Sequence, residues 1–322
     1  MNFKWEIIGN EKALEYLDKS LSNDKIANFY IFSGISGVGK LSLARNFSKN
    51  IFTKDKPDLV QKGNFLETNS DFFIIEREEG KKNISVDQIR GLIERFKSSS
   101  FLNSYRIAII KDAENLNNNS ANALLKVLEE SSDKTVIILT VNDIENLPKT
   151  IVSRGQVINL FPVKDDLIYK NLTEEFQVSP SLAKNLTKLS AGRPAAALKF
   201  LENQDLYQEY QLVVASFLEF MSSNFSERVQ IIDALIKKGG FLSNFDILET
   251  WQSVLRDLIF VNYQQYDQVK NVFALDDFKK IPVDKIQPLD IRRKVMVIND
   301  GLESLRSNIN LRSVLEYIAV NI

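Results

Sequence analysis

The chain has 322 residues, with 41 Lys or Arg against 42 Asp or Glu, a net charge of −1, and neither cysteine nor histidine. Disulfides, Cys/His zinc sites and Cys or His nucleophiles are thereby excluded, and any metal must be held by oxygen ligands, as Mg²⁺ is. The balanced charge makes the chain as a whole no obvious DNA binder, although a local basic face stays open. A single core stops growing near ~250–300 residues, so two or three domains are expected. No apolar run reaches the ~18–20 residues that span a membrane. Glu6 and Asn10 interrupt the start of the chain, as a signal peptide would not allow. The cytoplasm is the expected location.

In chain order, Phe29-Tyr30-Ile31-Phe32 reads as a buried strand ending at Ser33-Gly34. Lys40 to Asn50 reads as a helix, with Leu43, Phe47 and Ile51 on one face. Residues 53–70 are polar and loop-like. Phe72-Phe73-Ile74-Ile75 is a second strand. Ser85 and Gln88 then have capping-box spacing, and Ile84 with Ile89 fits a hydrophobic staple. Val86, Ile89, Leu92, Ile93 and Phe96 line the helix they announce. Ile107 to Ile110 is a third strand, Asn122 to Glu130 a helix, Val136 to Leu139 a fourth strand, and Val157, Ile158 and Leu160 mark a fifth. Strands alternating with helices predict a parallel sheet covered on both faces. From Asp165 onward strand signals vanish. Leu182, Leu186 and Leu189 share a helical face, Gly192-Arg193-Pro194 is a break, and Ala195 to Leu201 restarts a helix. Residues 206–322 are helical in pattern, with Phe217, Leu235, Leu255, Leu258, Val295 and Leu315 as expected core.

Three motifs bear chemistry. Gly34-Ile35-Ser36-Gly37-Val38-Gly39-Lys40 fits a phosphate-binding loop between strand and helix. There backbone N–H groups and a helix N-terminus face phosphates, and Lys40 reaches the β/γ-phosphates. The next residue should carry a hydroxyl for Mg²⁺, but it is Leu41, and Ser42 lies ~100° further around the helix. The second motif, Arg106 to Asp112, resembles a Walker B strand. Asp112 either contacts Mg²⁺ through water or caps a strand-to-helix turn; Ala113 stands where a catalytic Glu would, with Glu114 one place late. The third is Ser153-Arg154-Gly155, a surface turn or an arginine with a task.

These stretches in this order resemble the delta-prime family of bacterial DNA-polymerase clamp loaders. The resemblance rests on Gly34 to Lys40, Glu79 to Arg90, Arg106 to Asn117, Ala121 to Glu130, Ser153-Arg154 and Ala191-Gly192-Arg193-Pro194, and covers about residues 5–200. It implies a P-loop AAA+ fold: a RecA-like domain over residues 1–162, a helical lid over 163–204 and a helical collar over 205–322 that drives oligomerisation. It implies a place in DNA polymerase III, whose polymerase activity lies in another subunit, beside delta and gamma/tau ATPases that open a sliding clamp and set it on primed DNA. Within that assembly the family member is a stator. Its Ser153-Arg154 motif would face a neighbour's ATP site, with Arg154 as an arginine finger.

The departures bear on the chain's own site. Gly34, Gly37, Gly39, Lys40, Asp112 and, at the sensor place after the fourth strand, Asn142 are kept, and with Ser36 and Val38 of the loop they would make up a vestigial nucleotide site. The Mg²⁺ hydroxyl, the catalytic Glu and the lid's sensor Arg, replaced at Ala195, are not. The family zinc lacks its four cysteines, and Gly155 replaces the Cys of the Ser-Arg-Cys motif. No cofactor is then required, ATP or ADP with Mg²⁺ would bind weakly, and no intrinsic ATPase is expected. Two alternatives stay in view: a working gamma/tau-like ATPase, and another AAA+ module of replication. Lys81, Lys82, Arg90 and Lys97 either approach DNA phosphates or are solvated charges on an amphipathic helix.

Overall fold

A computed structural model describes residues 3–57, 65–97, 104–130, 134–238, 240–281 and 287–322. The chain divides into two compact units. The first comprises Met1–Ile168 with Gly192–Ala196, and the second Tyr169–Ala191 with Ala197–Ile322.

The first unit is built on five strands: β1 (Phe29–Ser33), β2 (Phe72–Ile75), β3 (Arg106–Ile110), β4 (Thr135–Val141) and β5 (Gln156–Asn159). Every pairing is parallel, in the order β2-β3-β4-β1-β5. Strands β1 and β4 are buried along their whole length. That is why they read as unbroken apolar runs rather than alternating ones. Their residues still divide by parity between two faces. Tyr30, Phe32, Ile107, Ile109, Val136 and Ile138 join Leu17 and Leu21 of α1 (Glu11–Ser22) and Leu43, Phe47 and Ile51 of α2 (Lys40–Asp55) in one core. Phe29, Ile31, Ala108, Ile110, Ile137 and Leu139 form the other. Burying each such side chain contributes about 1.5–3 kcal/mol, so the alternation of strand residues decides which helix covers which face.

The expected elements are present, with one correction. The stretch 53–70 is not wholly loop: α2 runs on to Asp55, and α3 (Phe65–Thr68) follows, with Phe65 buried against Phe52 at 5.4 Å between ring centres. Only 58–64 of that stretch lie outside the described residues. The helix announced by Ser85 is α4 (Val86–Lys97). Its capping box is made: Gln88 N donates to Ser85 Oγ at 3.2 Å, and Ser85 N to Gln88 Oε1 at 2.9 Å. Ile84 and Ile89 are both fully buried, as the staple requires. Next come α5 (Asn118–Glu130) and the short α6 (Lys149–Val152), which sits between β4 and β5.

Among the described residues after β5 there are only helices: α7 (Asp165–Glu174), α8 (Pro180–Ser190), α9 (Pro194–Glu202), α10 (Gln204–Ser222), α11 (Phe225–Lys238), α12 (Asn244–Asn262), α13 (Leu275–Lys279), α14 (Pro288–Arg306) and α15 (Leu311–Asn321), apart from single 3₁₀ turns. In the second unit α12 packs on α10 and α14, and α15 on α11 and α14. Trp251 stacks on Phe217 at 4.6 Å, with Leu255, Leu258 and Leu315 fully buried around them. Leu235 and Val295 are only half-buried; Ile232 and Ile298 take the core positions one helical step away. No helix among the described residues is long and apolar enough to cross a membrane.

One buried charge organises this unit. Asp257 of α12 is fully buried, and it accepts from the backbone N–H of Lys270 (3.0 Å) and Asn271 (2.7 Å), from the Asn271 amide (2.7 Å) and from Arg256 (3.1 Å). It thus holds the chain that returns from α12 toward α13. We expect Asp257→Ala to strand those buried N–H groups and cost roughly 3 kcal/mol, read as a lower urea midpoint at unchanged slope. An unchanged midpoint would show that the carboxylate holds nothing.

Candidate functional site

The sheet order brings the phosphate loop and its companions to one end. Gly34 follows β1 directly, and its N–H continues the ladder to Val141 O at 3.2 Å. A Cβ on Gly34 would lie 2.4 Å from the Leu160 carbonyl oxygen, at φ +153°, so only glycine fits between β1 and the chain leaving β5. Val38 is buried in the core while Ser36 is exposed. Because Ser33 pairs with Val141, Asn142 emerges beside the loop; because Ile110 pairs with Leu139, Asp112 emerges beside Asn142.

Lys40 opens α2 and is buried. Its ammonium donates to Gly34 O, to Ile35 O at 3.2 Å and to Asn142 Oδ1 at 2.8 Å. An ammonium has three donors, and here all three are spent on the chain itself. Burial lowers the Lys40 pKa below the usual lysine value, with the charges of Asp112 and Glu114 acting against that shift. Glu114 takes the backbone N–H of Asn142 at 3.3 Å and its side-chain amide as well. The other Glu114 oxygen is buried without a partner. Asp112 sits at φ +51°, its N–H bonded to Thr140 Oγ1 at 3.0 Å, and its side chain makes no capping bond to the turn that follows. Of the two readings of Asp112, the side-chain cap is therefore not the one the fold uses. Leu41 packs against the core and Ser42 is exposed. Across the loop, Ala195 N and Ala196 N at the start of α9 donate to Gly37 O at 3.0 and 3.3 Å. The lid position expected to carry a sensor cation thus does lie on the loop, but it brings only a methyl group and backbone N–H. For a Mg²⁺ nucleotide the loop has the right chain path, yet Lys40 has no free donor, Leu41 has no oxygen and Ala113 is buried. These residues do not fit a metal-assisted hydrolytic site.

Arg154 lies elsewhere. It follows α6, with its N–H on Ile151 O at 3.1 Å, and precedes β5. Tyr30 pairs with Gln156, so Arg154 enters at the start of β1 while the phosphate loop leaves from its end. At ~3.3 Å per strand residue the two are separated by roughly 16 Å along the sheet. The side chain is 43% exposed; Nη2 meets Glu129 Oε1 at 2.9 Å and Nη1 donates to Thr150 O at 3.0 Å. Ser153 Oγ also donates to Thr150 O, at 3.2 Å. Gly155 is set by packing: a Cβ there would come within 2.8 Å of Ile31 and 2.9 Å of the Phe29 ring. The cysteine expected at this place has no room over these two side chains.

Lys81, Lys82 and Arg90 are exposed, Arg90 pairing with Asp87 at 3.3 Å; the side chain of Lys97 lies outside the described residues. Sequence reasoning missed the Glu114–Asn142 bond and the Glu129 and Thr150 contacts of Arg154. The first two span 28 and 25 residues and no spacing in the chain announces them; the Thr150 contact is a local step of four residues within the turn.

Residues 9–164 match the family described as "DNA polymerase III, delta subunit". The chain is 27% identical over 307 residues to DNA polymerase III subunit gamma/tau of Mycoplasma genitalium, covering 89% of this chain and 51% of that protein. It is 23% identical over 324 residues to DNA polymerase III subunit delta' of Bacillus subtilis, covering 96% and 94%. With subunit delta' of Pseudomonas aeruginosa it shares 33% over 139 residues, 40% of this chain and 41% of that one. The chain thus spans about half the length of the gamma/tau relative. A parallel sheet in the order β2-β3-β4-β1-β5, a phosphate loop after β1 and these relatives agree in one direction: the chain is similar to clamp-loader subunits of DNA polymerase III.

Proposed function

We propose that the chain is a delta-prime-like stator of the clamp loader, and that it supplies Arg154 in trans to the ATP site of a neighbouring gamma/tau subunit. The observation that carries this reading is the place of Arg154. It is exposed, and it stands at the end of β1 opposite to the chain's own phosphate loop. A guanidinium there cannot reach a phosphate held by its own Lys40, so any γ-phosphate it serves lies on another chain. Residues 163–204 would form the lid and 205–322 the collar that joins this chain to gamma/tau and delta in the cytoplasm. The assembled loader would act on the sliding clamp and primed DNA.

A second reading, a working gamma/tau-like ATPase, is favoured by the similarity to the M. genitalium gamma/tau subunit and by the retained Lys40, Asp112 and Asn142. The chemistry around Lys40 supports the stator instead. A hydrolytic site would need a metal-holding hydroxyl after Lys40 and a water-polarising carboxylate after Asp112, each worth orders of magnitude in rate. Leu41 and Ala113 supply neither.

Three outcomes test the reading. The isolated chain should turn over ATP far more slowly than ~1 s⁻¹, the lower range of working enzymes; steady-state hydrolysis at that rate would establish the second reading. A chain truncated after Gln204 should lose assembly with gamma/tau and delta, measured by co-elution; full-affinity assembly would move the oligomer contacts into residues 1–204. Arg154→Ala should leave this subunit folded and able to assemble, because an exposed side chain outside the core is removed at small cost. At the neighbour's site it should slow hydrolysis by up to ~10³–10⁵. With several ATP sites in the loader, the total rate would fall by a fraction while clamp loading falls further. Arg154→Lys should rescue poorly, since a point charge cannot span two phosphate oxygens. Wild-type rates and wild-type clamp loading in both variants would leave Arg154 an ordinary surface residue.

A further inference from the structure

We infer that Glu129 is a positioning residue for Arg154: it braces one edge of the guanidinium so that the remaining donors stand ready for a phosphate on a neighbouring chain. The inference rests on the trans role proposed for Arg154 and adds the part that aims it.

The brace has two points. Nη2 of Arg154 meets Glu129 Oε1 at 2.9 Å, and Nη1 donates to the Thr150 carbonyl at 3.0 Å. A guanidinium has five N–H donors in a rigid plane. Two are spent here, and the other three have no protein partner among the described residues. In a planar fork, two anchors, one on each terminal nitrogen, set the plane and direction of the rest. A long arginine side chain left to itself samples many rotamers, and a catalytic group that must find its angle at each turnover is slower than one already there.

The backbone beneath the side chain is fixed as firmly. Gly155 lies against Ile31 and Phe29, and Arg154 N is bonded to Ile151 O. Ile151 of α6 and Val127 of α5 lie in the same buried core. The last turn of α5, which carries Glu129, and the turn that carries Arg154 are therefore held by one set of packed residues.

Glu129 lies in the last turn of α5, where the helix dipole disfavours a carboxylate, and that turn has no basic residue to offset it. Its countercharge comes from Arg154, 25 residues on. The pair is open to solvent, with Glu129 57% and Arg154 43% exposed. The attraction is thus weak enough for an arriving phosphate, with its greater charge, to take over the free donors without extracting the arginine from a buried ion pair.

The test uses the complete loader, rebuilt with this chain as wild type, Glu129→Ala, Glu129→Gln, Arg154→Ala and the Glu129→Ala/Arg154→Ala pair, each first shown by thermal unfolding and co-elution to fold and assemble. DNA- and clamp-stimulated ATP hydrolysis is measured against ATP concentration. We expect Glu129→Ala to lower kcat about two- to fivefold at the affected site with little change in KM. Glu129→Gln, whose amide oxygen still accepts from the guanidinium, should recover part of it. In the Arg154→Ala background, Glu129→Ala should add nothing. If Arg154→Ala slows the loader and Glu129→Ala does not, or makes it faster, the brace is wrong while the finger stands. If Glu129→Ala slows the loader equally with and without Arg154, Glu129 acts by another route and the brace is again wrong. If Arg154→Ala itself changes nothing, the reading on which the brace rests fails first.

Discussion

β1 is hydrogen-bonded along both edges by strands that run parallel to it, β4 on one side and β5 on the other. That double pairing, shared with β4 beside it, fixes where the loops of the first unit emerge. Parallel neighbours reach their successors only by crossing over a face of the sheet, so each strand's carboxyl end opens into a loop at the same edge. The loops after β1, β3 and β4 consequently carry Gly34–Lys40, Asp112 and Asn142 to one place, although they are spread over more than a hundred residues of sequence. The contact from Lys40 to Asn142 is a consequence of strand register: a slip of one residue in the β1–β4 pairing would send the Phe32 side chain to the wrong face and would separate the pair.

The same register gives the domain two chemically different ends. At the carboxyl end the polar groups are turned on one another: Lys40 to carbonyls and Asn142, Asn142 to Glu114, and the Gly37 carbonyl to the first N–H groups of α9. At the amino end, Arg154 is turned outward with most of its donors unspent. Each bond that a ligand makes to such groups must replace one within the chain. Unspent donors on a braced side chain need no such replacement.

Much of this was legible in the sequence, for identifiable reasons. Strands β1 and β4 are buried along their whole length and so appear as short apolar runs between polar breaks. The capping box at Ser85 and the phosphate loop are local, set by spacings of three to seven residues. The stretch 53–70 was misread as loop because its structure comes from tertiary packing: Phe65 and Leu66 have no helical partners in their own short segment and are buried by neighbours such as Phe52. In the second unit Leu235 and Val295 carry the helical period, yet the core takes Ile232 and Ile298, since helix rotation is decided by the helices opposite. Asn142 lies 102 residues from Lys40, Glu114 28 from Asn142 and Glu129 25 from Arg154. No window of sequence holds both members of such a pair.

Gly155 joins these scales. As a letter in a Ser-Arg-Cys pattern it is a departure that would put the motif in doubt. In the fold it is a steric consequence of the strand beside it, because Ile31 and Phe29 fill the space a Cβ would need. A small residue at 155 lets the turn lie close on β1, and the closeness of that turn holds Arg154 at the rim within reach of Glu129. Packing beneath the turn and hydrogen bonding above it therefore act on one side chain from opposite sides. The arginine keeps its place without being buried, and so keeps its guanidinium hydrated rather than carrying the desolvation cost of a buried charge.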